Sequence, residues 1–161
     1  MKKISLVLCV VVAGFLFLAA GCSKDSEPSK AFIAFNDALI AKEWETVWDM
    51  LSSRSQGAFA EEGYKRMREV IEAMPPELRK KKVEGLELTH DQLYDMKPKQ
   101  FFLFIMKKTE ASQAFVKAAV KPEIKKAEVE GDKATLFLKG KNEYVCLIKE
   151  DGKWKIDFEA D

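Results

Sequence analysis

YVCLIKEDGKWKID, residues 144–157, is the stretch that sets the architecture of this chain. Asp151-Gly152 lies between two alternating apolar runs. Asp-Gly in that position is a strong hairpin signal, because a two-residue type I′ turn needs left-handed backbone at both central residues. After the turn, Trp154, Ile156 and Phe158 fall on one face, and Lys153, Lys155 and Asp157 fall on the other. The closing strand is therefore expected to be half solvated. Before the turn, Tyr144 to Ile148 is apolar on both faces, which suits an interior strand. Period two extends back to Lys121 and predicts strands over 124–130, 133–139, 142–150 and 153–159. Gly131-Asp132, the Gly140 region and Asp151-Gly152 separate them.

Upstream the spacing becomes helical. Phe32, Phe35, Ala38 and Leu39 share one face of a helix starting near Pro28 or Ser29. Trp44, Val47, Trp48 and Leu51 sit at i, i+3, i+4 and i+7 in a second helix over 43–51, a full apolar stripe. Ser52-Ser53 interrupts it. A third helix is predicted over 56–74, where Met67, Val70, Ile71 and Met74 repeat the spacing. Pro75-Pro76 ends it, since proline donates no backbone bond and restricts its predecessor. Residues 77–83 have room for one or two further turns. Thr89-His90-Asp91-Gln92 has the form of a capping box. Pro98 suits the first turn of another helix, and the pattern admits a helical segment over 110–120. Helices followed by an antiparallel meander make an α+β layout, with N-terminal helices packed on a C-terminal sheet.

Two segments add a resemblance. Residues 38–44, continued through Trp48-Asp49-Met50-Leu51-Ser52, and the closing strands 134–138 and 144–157 resemble the nuclear transport factor two-like lipoproteins, relatives of the cystatin-like fold. The similarity spans about half of the chain beyond the leader, and residues 75–120 depart from the family pattern. It implies a cone-like domain with a pocket between sheet and helices. Enzymes of this fold place an Asp, Tyr or His inside the cone, and no residue here can be matched to those positions.

The N-terminus addresses location. Lys2 and Lys3 precede an apolar run, Ile4 to Ala20, broken only by Ser5 and Gly14. That order makes a secretory signal peptide. Leu18-Ala19-Ala20-Gly21-Cys22 resembles the lipobox of bacterial lipoproteins, which implies acylation of Cys22 and cleavage before it. The alternative is an uncleaved membrane anchor, since such an anchor needs about 17–25 residues. Either way the flanking lysines stay inside and the remainder lies outside the cytoplasm. Residues 1–21 are therefore expected to be the signal peptide, 22–29 a flexible tether, and 30–161 a single domain. In cells with two membranes, Ser23 after the cysteine implies an outer-membrane anchor facing the periplasm. In cells with one membrane, the anchor implies the outer face of the cytoplasmic membrane.

Loss of residues 1–21 removes two lysines and no carboxylate, taking the formal net charge from +1 to −1. A near-neutral chain argues against nucleic acid as a partner. With Cys9 in the leader and Cys22 acylated, Cys146 has no cysteine to pair with. It is expected to be a buried small hydrophobe, with a reactive thiol as the alternative. His90 is the only histidine, too few for a zinc site, and is expected at a helix start rather than as a general base. Neither a GxSxG elbow nor a phosphate-cradling glycine loop is present. No catalytic residue, metal or cofactor is expected.

Arg79-Lys80-Lys81-Lys82 reads as a solvated helix end beside Glu77 and Glu84, or as a contact for anionic headgroups. Phe101 to Met106 is six apolar residues in a row, expected in the core, as a lid over a cavity, or as a partner-facing patch. Trp44, Trp48, Tyr64, Phe104, Phe137, Tyr144 and Trp154 are the candidate pocket-lining residues. The expected partners are the membrane through the lipid anchor and an apolar small molecule or lipid in the cone. The alternative partner is another envelope protein.

Overall fold

A computed structural model describes residues 26–108, 113, 116, 123–140 and 144–158. The helices precede the sheet and pack on it, giving the expected α+β architecture. Helix α1 (Glu27–Ala41) is capped by Ser26, whose hydroxyl accepts the Ser29 N–H at 3.4 Å. Pro28 stands in the first turn, where its missing N–H costs nothing. The domain thus begins earlier than expected. Glu27, Pro28 and Ser29 belong to the helix, and Ser29 is fully buried. The serine-proline sequence that reads as a tether is here a helix start.

Helix α2 (Trp44–Asp49) buries Trp44, Val47 and Trp48. Ser52 then caps α3 (Ser53–Phe59). A π-helical turn, Ala60–Tyr64, joins α3 to α4 (Lys65–Glu72). The inserted residue rotates every later side chain by about 100°. On α4 Ile71 is buried while Val70, expected on the same stripe, is 57% exposed. Helix α5 (Pro76–Arg79) is a single turn. Arg79 Nη2 donates to the Glu72 carbonyl and so caps α4, while its Nε donates to the Met74 carbonyl at 3.0 Å.

The capping box opens α6 (His90–Tyr94) as expected, with Thr89 and Gln92 bonded reciprocally. Helix α7 (Pro98–Lys108) carries the phenylalanine run. The expected helix over 110–120 falls almost wholly outside the described residues. Among the described residues no helix is long and apolar enough to cross a membrane.

Strands β1 (Ile124–Glu130), β2 (Lys133–Leu138), β3 (Tyr144–Glu150) and β4 (Lys153–Asp157) form one antiparallel sheet in sequence order. The interior place expected for residues 144–148 is observed. Asp151 and Gly152 both have positive φ, 48° and 76°, the requirement of a type I′ turn. One sheet face turns Ala134, Leu136, Leu147 and Ile156 into the core, all 2% exposed or less. The outer edge of β4 does not stay open. The Ser52 N–H donates to the Ile156 carbonyl and the Ile156 N–H donates to the Met50 carbonyl, each at 2.8 Å. Residues 50–52 thereby protect an edge that would otherwise template aggregation.

The end of β4 departs from the alternation. Phe158, expected to face the core with Trp154 and Ile156, is 60% exposed, and Asp157, expected in solvent, is 8% exposed. Helix α3 folds its N-terminus across that end of the strand and supplies hydroxyl donors to the carboxylate, which makes its burial tolerable.

Candidate functional site

Four helices and the end of β4 enclose an apolar cavity of about 300 Å³. From α1 come Phe35 and Leu39. Trp44 and Val47 come from α2, with Leu51 just after it, and Phe59 from α3. Phe102, Ile105 and Met106 of α7 form the opposing wall. The cavity wall is held by aromatic packing. Trp48 stands behind Phe59 and Phe102, with ring centroids 5.7 and 5.0 Å away, and Phe59 meets Phe102 edge-on at 5.5 Å. Such offset and edge contacts add about 0.5–1.5 kcal/mol each beyond area burial. Phe158 rims the cavity and touches Phe35 edge-on at 6.3 Å.

The cavity's polar lining is Ser55, and its hydroxyl is already engaged. It accepts the Phe158 N–H at 2.8 Å and lies 3.3 Å from Asp157 Oδ1. An entering molecule would find carbon on every side and no free donor or acceptor. A cavity of about 150 Å³ lined by Leu, Ile and Phe stays dry and takes up benzene. This one is about twice that size and adds Trp44, Val47, Met106 and the engaged Ser55 to Leu, Ile and Phe.

Among the residues expected to line a pocket, Trp44 does so. Trp48 buttresses the wall from behind. Phe104 is half-buried on α7, outside the lining. Tyr64 lies in a separate surface groove, where its hydroxyl donates to the Met96 carbonyl at 2.5 Å. Arg68 lies over the Tyr64 and Tyr94 rings there, at 5.7 and 4.2 Å. Hydrogen bonds to Tyr94 first and then Tyr64 hold its guanidinium pKa above the ordinary arginine range.

Phe137 and Tyr144 pair on the outer sheet face at 6.5 Å, turned away from the core by their register. Trp154 is half-buried on the core side under the Lys149 ammonium. Helical spacing identifies which aromatics are apolar-facing. It does not say which of them surround a void.

Phe101, Phe102 and Met106 are buried, and Leu103, Phe104 and Ile105 are half-buried. The run is therefore mainly core, and Phe102 is unsuited to docking a partner. His90 is half-buried at the start of α6, its Nδ1 3.1 Å from the Lys81 carbonyl. Cys146, expected in the core, is half-exposed on the outer sheet face, because its register partners are Thr135 and Asp157. Among the described residues no group of His, Cys, Asp and Glu is placed to hold a metal ion. The chain matches no protein-family model, no curated protein and no solved structure.

Proposed function

We propose that this chain is an envelope lipoprotein, acylated at Cys22, whose domain holds a small apolar molecule or a lipid tail without transforming it. The reading places it in the outer membrane, facing the periplasm, or on the outer face of a single membrane. The observation that carries the binding reading is the cavity walled by Phe35, Leu39, Trp44, Val47, Phe102 and Met106, which offers burial and no reactive group. Ligand pockets are typically apolar and about 300–1,000 Å³, so this one sits at the small end and suits a tail rather than a whole lipid.

The anchor complements the pocket. Four residues separate Cys22 from Glu27, the first residue of α1, and the five residue steps between them span at most about 17 Å when fully extended. The domain is thus tied close to the lipids whose tails it would accept. Two or three acyl chains hold such a protein durably, whereas one is marginal.

Two measurements test the reading separately. The Cys22→Ser chain should leave sedimented membranes, and persistence in the pellet would overturn the anchor. The same acyl-free chain should take up a fluorescent fatty acid saturably and lose that uptake when Val47 is changed to Phe. Unsaturable or unchanged uptake would overturn the pocket.

A further inference from the structure

A second, polar pocket of about 220 Å³ lies on the outer face of the sheet, lined by Arg54, Lys133, Thr135, Cys146, Leu147, Ile148 and Asp157. Thr135, Cys146 and Asp157 are register neighbours across β2, β3 and β4. Their side chains form one row across the pocket floor, about 4.8 Å apart from strand to strand. Arg54, on the first turn of α3, folds over the row.

Asp157 is unusual in how its carboxylate is used. Its side chain is 7% exposed. Ser52 Oγ at 2.8 Å, Ser55 Oγ at 3.3 Å and Arg54 Nε at 3.6 Å all address Oδ1. Oδ2 has no partner among the described residues. Yet no fully buried side-chain oxygen or nitrogen among them lacks a partner, so Oδ2 keeps contact with solvent. Asp157 lines this pocket, so the opening is the pocket itself. A carboxylate this deeply buried is costly unless its lone pairs are used. One oxygen is pinned and the other is held ready. The Nη atoms of Arg54, the Lys133 ammonium, the Thr135 hydroxyl and the Cys146 thiol are likewise unpartnered among the described residues.

We propose that this pocket binds a small hydroxylated carboxylate. Two cations and one carboxylate give the site a net charge of +1, which a monoanion neutralises. The flat fork of Arg54 matches a carboxylate in a way a lysine alone does not. Oδ2 only accepts, so the ligand must bring a donor. A hydroxyl leaves the site neutral, whereas an ammonium would restore the excess positive charge. The volume corresponds to roughly seven waters at about 30 Å³ each, the scale of a short hydroxy acid. This assignment is independent of the apolar cavity, since Asp157 and Ser55 separate the two.

The test uses the full chain in detergent micelles, with glycerate as the probe and propionate and glycine as comparisons. Cys146 reports occupancy through its alkylation rate with iodoacetamide, read on the Cys146 peptide by mass spectrometry. Glycerate should protect the thiol saturably, and propionate, lacking the donor, should protect at least about tenfold less well. Arg54→Gln should weaken glycerate by a similar factor. Lys133→Gln, at an exposed strand position, provides the same readout if Arg54→Gln disturbs folding. Absence of protection, equal protection by propionate, stronger protection by glycine, or unchanged protection in the folded variant would each overturn the assignment.

Discussion

Ser52 Oγ lies 2.8 Å from Asp157 Oδ1, a bond that spans 105 positions of sequence and ties the first residue before α3 to the last residue of β4. Ser52 is fully buried and performs three tasks. Its hydroxyl accepts the Ser55 N–H at 3.0 Å and so caps α3. The same hydroxyl donates to Asp157. Its backbone N–H extends the edge of β4.

Ser52→Ala removes the cap and one donor to a buried carboxylate together. A cap contributes about 1 kcal/mol and a lost buried partner about 1–3 kcal/mol, so the variant should lose about 2–4 kcal/mol. Urea unfolding of the acyl-free chain measures it. A loss below about 0.5 kcal/mol, the scale of an ordinary surface change, would mean that the contact carries little weight.

The apolar cavity makes opposite predictions for two of its walls. Phe102→Ala deletes a ring that packs on both Trp48 and Phe59, and should cost about 3–5 kcal/mol. Val47→Ile adds one methylene toward the void. It should raise stability by up to about 0.8 kcal/mol while lowering fatty-acid uptake. Thermal unfolding with and without the fatty acid separates the two effects. If Val47→Ile destabilises the chain, the void is smaller than described.

Lys42 and Gly152 both hold left-handed backbone, with opposite consequences. Gly152, φ 76°, completes the β3–β4 turn, and Gly152→Ala should cost about 1–2 kcal/mol. Lys42, φ 59°, closes α1 in the same conformation but carries a side chain that disfavours it. Lys42→Gly should therefore stabilise by about 1 kcal/mol. Melting temperatures should move in opposite directions, and a shared direction would rule out backbone strain as the cause.

Tyr64 joins the π-helical turn to the segment after α6 through its bond to the Met96 carbonyl. Tyr64→Phe keeps the ring under Arg68 and removes that bond together with the 3.3 Å bond that Arg68 Nη1 donates to the same hydroxyl. The expected loss is about 1 kcal/mol, with amide exchange quickening around Met96 and not in the sheet. Uniform quickening would show that the bond is not local.

The meander and its turns were legible because hairpins are local. Asp151-Gly152 and the alternation on either side carry the register within a dozen residues. The capping box of α6 and the stripe of α2 were legible for the same reason. The exposure of Val70 was not, since helical spacing puts Val70 and Ile71 on one stripe and only the packing around α4 decides that Ile71 alone is covered. Among the expected pocket residues, Trp44 lines the cavity while Trp48, one helical turn on, packs behind the wall. Both are large and apolar, so composition does not tell them apart.

By itself the sequence determined the order of helices and strands, the interior place of β3 and the cap that starts α6. Those depend on contacts between residues a few positions apart. Only the tertiary structure decided that a void would remain between α1, α2 and α7, and that Asp157 would be buried with one oxygen pinned and the other open. Burial is a property of what comes to lie opposite. For Asp157 that is Ser52, Ser55 and Arg54, which no local spacing connects to the final strand.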